Sequence, residues 1–454
     1  MHVLFVNPDV RSKSIIYGNR MLNPVPVNLA YRAASTARDH TVTLIDENAT
    51  SITDCSAFRD VDLIAITSKF FAEHRVAELV GGFQELGKPC VIDGYFPSFE
   101  PAASRLSAAS LIRGEVESVW SQVLDDAERG RLRPHYTGQP VDLSTVPLYR
   151  PSDLPQHDYV FPVEATRGCP FKCNFCIETR YHHETFRTRP IDHVIDQIDL
   201  RTGNFVQFAD INIVGNPRYA QTLFHELEPL GVLWGSQATI TIAQRETLVE
   251  SAARSGCMLV FIGLESISRE NLTASEKGWS RPPDYRELIA RLHDAGIGVI
   301  GSFVLGFDSD TPSVFARTLE FVVENEIEIC HFNPLVAEPG VPIYEQYRSR
   351  GRLRDPGPGG PSHFTASVEP AQMSVTQLLD GLEYLYTHTY SRELTKQRLR
   401  RHLSPDPLPG PQSDAKKQAI VGLNVAYRRA VEQHYGTRVN SATSASSHPQ
   451  GIVQ

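Results

Sequence analysis

The sequence predicts an α/β protein made of two parallel-sheet units in series, a doubly wound N-terminal domain and a partial (β/α)6 barrel, followed by a small helical C-terminal module. Three observations carry that prediction. From residue 1 to about 130, short apolar runs alternate with stretches of helical spacing, the rhythm of a parallel sheet with covering helices. A stretch rich in proline and polar residues, 131–158, interrupts it and reads as an interdomain linker. The rhythm then restarts at residue 159 and runs through six βα units to about 345.

In the first unit, strands are predicted at 3–6, 42–45, 63–67, 90–92 and 111–112, and helices at 27–37 and 72–86. Ligands of such open sheets settle at the carboxyl ends of the strands, so the loops 7–11, 67–71 and 93–97 form the candidate rim. Thr67, Ser68, Asp93, Gly94 and Tyr95 are its candidate binding residues. In the second unit, strands at 159–165, 205–208, 233–238, 258–263, 298–305 and 328–333 alternate with helices at 192–200, 219–230, 245–256, 285–295 and 311–325. Barrel enzymes keep their chemistry at the carboxyl ends of their strands. Those ends carry Asp210 and Asn212, then Glu265, then Ser302. A lone acid there also serves as a helix cap; recurrence at one face of one barrel is what points to a site.

Residues 346–436 pass through a Gly/Pro-rich loop at 357–360 and return to helical spacing over 373–401. The basic run of Lys396, Arg398, Arg400 and Arg401 reads as a solvated helix end. The Ser-rich, nearly uncharged stretch 437–454 is predicted to be disordered.

A chain of 454 residues has room for two or three domains with proper cores. No apolar run approaches the roughly 18 residues of a membrane span. The first residues, broken at Pro8, read as a core strand rather than a signal peptide, so a cytoplasmic protein is expected. The net charge of −9 disfavours a nucleic-acid partner and leaves small-molecule or peptide substrates. Of seven cysteines, Cys55, Cys90, Cys257 and Cys330 are scattered and read as core residues rather than a disulfide framework.

The other three, Cys169, Cys173 and Cys176, sit at CxxxCxxC spacing on a loop opened by Gly168 and Pro170. A structural zinc site needs four protein ligands, whereas a four-iron cluster on three cysteines keeps one iron open. Other readings of the thiols are a chance buried group, half of a zinc site completed by His182 and His183, or a thioredoxin-like pair that leaves Cys169 unexplained. With Phe175 just before the last cysteine and Arg167-Gly168-Cys169-Pro170 leading in, the motif resembles the signature of the radical S-adenosylmethionine (SAM) superfamily. The resemblance implies a 4Fe-4S cluster on the three cysteines, with Phe175 beside it. It also implies SAM held at the open iron and cleaved to a 5'-deoxyadenosyl radical, and an external electron donor such as flavodoxin or ferredoxin. It further places Asp210 and Asn212 beside the methionyl amino group of SAM, Glu265 near its ribose or carboxylate, and Ser302 where small residues admit the adenine. Arg167 and Arg187 are left to pair with the SAM carboxylate or with surface acids.

The first unit resembles, in order and rim, the cobalamin-binding domain of one large subfamily. Gly114-Glu115-Val116-Glu117 looks like its Gly-Glu-Gly-Glu closing motif, and Glu338-Pro339-Gly340-Val341-Pro342-Ile343-Tyr344 resembles its Pro-Gly-Thr-Pro-Leu-Tyr stretch. The DxHxxG motif is absent, so no histidine below cobalt is expected. Asp93-Gly94-Tyr95 stands where the subfamily often has Gly-Gly and a histidine, and Val27-Asn28-Leu29 replaces a Gly-Leu pair. The implied architecture is a Rossmann-type, cobalamin-binding-like domain, a radical SAM barrel and a helical module. The implied function is a cobalamin-dependent radical SAM methyltransferase acting on an unactivated carbon of a biosynthetic intermediate. The alternative keeps the radical without methyl transfer, in rearrangement, cyclisation, dehydrogenation or epimerisation, with or without cobalamin. RNA methylthiolation is disfavoured, since only Cys55 and Cys90 lie in the N-terminal unit. A non-catalytic scaffold leaves the strand-end polar residues without a role. No catalytic residue is legible.

Overall fold

A computed structural model describes residues 1–15, 27–36, 39–99, 109–149, 161–199, 205–355 and 362–436. Its N-terminal sheet runs in the order β2-β1-β3-β4-β5-β6, with β1 His2–Asn7, β2 Thr41–Asp46, β3 Leu63–Ser68, β4 Cys90–Gly94, β5 Ala109–Arg113 and β6 His135–Thr137, every pair parallel. Parallel strands covered on both faces read as unbroken apolar runs, and β3 is buried from end to end. Alternate side chains separate the two faces. Leu4, Val6, Ile64 and Ile66 pack under helix Glu73–Glu85, while Val3, Phe5, Leu63 and Ala65 pack against Leu29 and Trp120. The order reverses at β1, so Asn7 and Ser68 end the two strands that flank the switch point.

This sheet extends beyond the boundary expected at 130. β6 pairs with β5, Ile112 opposite Tyr136, inside the stretch read as linker. Three residues are too few to show a period, and the neighbouring prolines conceal the strand. Leu143, Val146 and Tyr149 then join the core of the second unit, so this part of the crossing is packed. Residues 150–160 lie outside the described residues.

The second unit begins at β7 Phe161–Val163. A two-stranded antiparallel hairpin follows, β8 Thr166–Gly168 with β9 Phe186–Thr188, and the cysteine loop lies between its arms. Then come β10 Phe205–Phe208, β11 Leu233–Ala238, β12 Cys257–Glu265, β13 Gly298–Leu305 and β14 Ile329–Pro334. Their order, β7-β10-β11-β12-β13-β14, follows the chain and leaves β7 and β14 as edges, an open barrel of the six predicted strands. Helices Ile191–Asp199, Pro217–Leu227, Glu246–Arg254, Tyr285–Asp294 and Ser313–Glu324 cover it. Helix Pro217–Leu227 starts two residues before the predicted 219 because Asn216 caps the amides of Arg218 and Tyr219, with Pro217 in the first turn.

The C-terminal module opens with a capping box at Ser374 and Gln377 on helix Val375–Thr389 and closes with helix Ser413–Tyr435. In its basic run Lys396 and Arg400 are exposed as expected, whereas Arg398 departs from the solvated expectation. Arg398 is buried and donates to the carbonyls of Ile327, Glu328 and Thr389 at 2.7, 2.5 and 2.8 Å, and Arg400 and Arg401 pair with Glu326. The run anchors the module to the barrel floor. The predicted tail, 437–454, lies outside the described residues, and among these no helix is long and apolar enough to cross a membrane.

Beside that anchor, the buried Glu328 accepts from Val299 N at 2.8 Å and meets His293 Nε2 at 3.2 Å and His402 Nε2 at 2.9 Å. Burial pushes the Glu328 carboxyl up, but the two histidines outweigh it and hold the group far below the carboxylate range. Burial pushes His293 down, and Glu328 carries it above its ordinary value. Glu328 therefore stabilises above the ordinary carboxylate range, and its contribution is lost as pH falls through its lowered value. That of His293 is full below about 6.5 and is lost as pH rises through its raised value. Glu328→Gln is expected to cost about 1–3 kcal/mol and to flatten the fall in melting temperature above about pH 6.5. Thermal unfolding at paired pH values measures both.

Candidate active site

Asp210 aims the cysteine loop. Its fully buried carboxylate accepts from the backbone N–H groups of Ala165 at 3.0 Å and Thr166 at 2.5 Å, where β7 hands over to β8. Burial pushes the group up to about 7 against those two bonds. A carboxylate predicted to face a ligand is thus occupied by backbone, and it acts on the cysteines through the strand that carries them.

Cys169 and Cys173 are buried and Cys176 is half-buried. Burial pushes the Cys173 thiol up to about 12 and the other two up; Cys173 feels both of the other thiols and Cys176 feels Cys169. Three soft donors, two buried and one half-buried, on one short loop suit an iron-sulfur cluster, whose charge deprotonates coordinating thiols outright. Of the two histidines of the zinc alternative, His182 is engaged elsewhere, its Nδ1 lying 2.9 Å from Glu115 Oε1 of the N-terminal unit. Among the described residues no three His, Cys, Asp or Glu side chains are grouped to hold a single metal ion.

Two further polar groups reach the thiols. Asn212 lies with Nδ2 3.6 Å from Cys169 Sγ, while its Oδ1 accepts from Thr239 N at 3.2 Å. Glu265, in the left-handed region at φ 61°, pairs with Lys277 Nζ at 2.8 Å, and Lys277 also donates to Gly263 O at 2.7 Å. The Lys277 ammonium favours the ionised forms of Cys173 and Cys169. Lys277 escaped the sequence reading because it sits in a short Ser-Glu-Lys-Gly turn with no periodic or motif signal; what marks it is its burial, at 5% exposure. Trp279 stacks on Phe171 at 3.9 Å and 18° and covers the loop. Phe175 packs with Phe307, Leu335 and Val341, and Ile343 N donates to Asn174 O at 3.1 Å, so the 338–344 stretch is tied to the cysteine loop. Ser302 is buried on β13, in register with Gly263 and His331.

A cavity of about 410 Å³ separates the two units. Asn7, Thr67, Ser68 and Gly94 line it from the carboxyl ends of β1, β3 and β4; Pro162, Gln207 and Gln237 line it from β7, β10 and β11. Two parallel sheets therefore point their carboxyl ends at one space. The floor is low because Gly94, at φ 100°, lies against the Ser68 backbone where a Cβ would collide. Asp93 does not reach the space freely. It is 1% exposed and paired with Arg32, whose guanidinium bonds both carboxylate oxygens, one at 2.6 Å, and donates to Thr67 Oγ1 at 2.8 Å. Ser68 Oγ donates to Lys69 O at 3.2 Å. Tyr95 donates to Glu178 Oε2 at 2.6 Å and packs edge-on against Tyr181. Arg167 and Arg187 meet acids, but buried ones: Arg167 bonds Glu164 at 2.8 Å, and both arginines bond Glu115.

Residues 163–322 match the family model of the radical SAM superfamily. Over 87% of its length the chain is 29% identical to the bacteriochlorophyllide d C-12(1)-methyltransferase of Chlorobaculum tepidum, covering 89% of that protein. It is 22% identical to the hopanoid C-2 methylase of Rhodopseudomonas palustris over 72% of its length and 65% of the methylase. Two solved structures share the fold. The radical SAM methyltransferase TsrM from Kitasatospora setae, with cobalamin and a [4Fe-4S] cluster bound, superposes with a TM-score of 0.64 at 15% identity, covering 83% of this chain and 84% of that one. The cobalamin-dependent SAM radical enzyme OxsB, with aqua-cobalamin bound, does so with a TM-score of 0.64 at 14% identity over 95% and 72%.

Proposed function

From the premise that residues 163–322 form a radical SAM domain, we propose that this chain is a cobalamin-dependent methyltransferase. It adds a methyl group to an unactivated carbon of a small biosynthetic molecule, with a cyclic tetrapyrrole as the first candidate acceptor. The observation that carries the reading is the shared cavity, with two sets of strand ends on either side of it and the helix that follows Cys176 in its wall. A bacteriochlorophyllide methyltransferase matched over 89% of its length supports the acceptor class. When bound, a 4Fe-4S cluster with SAM supplies a hydrogen-abstracting radical and cobalamin a transferable methyl group, chemistry that acid-base side chains lack.

The chain's own residues hold, orient and keep dry. Cys169, Cys173 and Cys176 would hold the cluster, which their burial on one loop suits. Asn212 and Lys277 favour the ionised sulfurs on either side. Glu265, kept in place by Lys277 at the end of β12, and Ser302, within β13, border the SAM site. The Phe171–Trp279 stack shields the loop from water. On the opposite wall, Thr67, Ser68, Gly94 and Tyr95 form the rim that would meet a corrin, and Arg32 cancels the charge of Asp93 beneath it. An external one-electron donor such as flavodoxin or ferredoxin completes the set.

Anaerobically purified protein is expected to hold about four irons and four sulfides per chain, to retain one corrin through gel filtration, and to release 5'-deoxyadenosine from SAM under a reductant. Cleavage of SAM with no corrin retained replaces the methyl-transfer reading by a radical reaction without methyl transfer.

A further inference from the structure

The cysteine hairpin is gripped by acids of the other domain, and one of them, Glu115, bonds both of its arms. Arg167 of β8 and Arg187 of β9 stand directly opposite each other. Like charges in that relation destabilise a strand pair unless an anion lies between them. The anion is Glu115, which follows β5 in the N-terminal unit and is 1% exposed. Its Oε2 accepts from Arg167 Nη1 at 3.2 Å, Arg187 Nη1 at 2.9 Å and Val141 N at 3.0 Å; its Oε1 accepts from Arg187 Nη2 and meets His182 Nδ1 at 2.9 Å. All three side-chain partners belong to the hairpin that carries the cysteines, and Arg167 stands two residues before Cys169. Burial pushes the Glu115 carboxyl up, but Arg187, His182 and Arg167 outweigh it and hold the group far below its usual range.

Both sides of this contact are rigid. On the N-terminal side, Gly138 N bonds Arg113 O at 2.7 Å and lies against the Glu115 backbone, while Tyr181 reaches back to donate to Gly114 O at 2.9 Å. On the barrel side, Arg167 is also gripped by Glu164 at 2.8 Å, and Glu117 of the N-terminal unit adds a second contact at 3.0 Å. Buried, multidentate and charge-assisted, such a contact has one well-defined geometry. It spans the wall of the cavity that separates the cysteine loop from the N-terminal rim.

We infer that Glu115 is a positioning residue that sets the spacing between the cysteine hairpin and the N-terminal sheet, and so couples SAM cleavage on one side of the cavity to methyl transfer from the other. The inference rests on the function proposed above. Two groups that act on one carbon from opposite walls must be aligned closely, and a misplacement of about 1 Å can cost about a hundredfold in the step that needs the alignment. Cleavage of SAM depends only on the barrel side and is spared.

The test compares wild type with Glu115→Gln, which keeps the shape and removes the charge, and with Arg187→Met, which removes a partner on the other side. Each holoenzyme is assayed for iron, for 5'-deoxyadenosine and for methylated product, and each cofactor-free protein for hydrogen exchange over 164–189. The expected result is iron content like wild type, a ratio of product to 5'-deoxyadenosine at least about tenfold lower, and faster exchange across the hairpin. A merely structural role would lower both products together and leave their ratio unchanged. That result in a folded Glu115→Gln protein overturns the inference, and if this variant does not fold the same readings on Arg187→Met decide. Wild type that cleaves SAM but methylates nothing defeats the proposed function instead; the exchange measurement then stands alone, and unchanged exchange over the hairpin overturns the clamp.

Discussion

Cys173→Ala protein, prepared without oxygen, is expected to contain no 4Fe-4S cluster and to cleave no SAM. Each of the three thiols is a separate ligand, and with two the cluster loses a corner it cannot replace from its surroundings. The nearest other donors are engaged: Asn212 through Thr239, His182 through Glu115, and Glu265 through Lys277. Iron analysis and the absorbance of the sulfur-to-iron bands read the first effect, and chromatography of 5'-deoxyadenosine the second. Cys257→Ala and Cys330→Ala serve as controls, since both side chains are fully buried in the barrel core, and these variants are expected to keep cluster and cleavage. A Cys173→Ala protein that retains both would remove the cluster from this loop.

Asp93→Ala is expected to destabilise the N-terminal unit by about 3–5 kcal/mol, because it leaves the Arg32 guanidinium buried without its anion. Arg32 is 4% exposed and Asp93 1%, so water does not take the partner's place. Asp93→Ala combined with Arg32→Met removes both charges and replaces one by an apolar chain of similar length. It is expected to recover most of the loss, and urea unfolding of the two single variants and the double closes the cycle. Corrin retention should follow the same order, since Arg32 also holds Thr67 in the rim. If the single variant loses less than about 1 kcal/mol, Asp93 is not committed to Arg32 and returns to the sequence-based role of a ligand contact.

The strands were legible because their burial is local information. Unbroken apolar runs such as Leu63-Ile64-Ala65-Ile66 have few alternatives to a covered parallel strand, and in the barrel Met258-Leu259-Val260-Phe261-Ile262 announces itself by the same means. The cysteine spacing was legible because its ligands are neighbours in the chain. What stayed hidden depends on partners far away in sequence. Asp93 is bonded to a residue 61 positions earlier, Asp210 to backbone 44 and 45 positions earlier, and Glu115 to arginines 52 and 72 positions later. No local pattern says whether a strand-end acid meets a ligand, a backbone amide or an arginine. Arg398 failed for the same reason: a basic run looks solvated until β14 lies beneath it.

The central claim, methyl transfer across the interdomain cavity, is tested most directly by one labelling experiment. Protein reconstituted with iron, sulfide and hydroxocobalamin, so that SAM is the sole methyl source, is given a reductant, SAM with a deuterated methyl group and a chlorin acceptor, and the products are weighed by mass spectrometry. The expected result is a deuterated methyl group on carbon of the acceptor, formed together with 5'-deoxyadenosine. An acceptor that is altered without gaining label while 5'-deoxyadenosine accumulates would contradict methyl transfer.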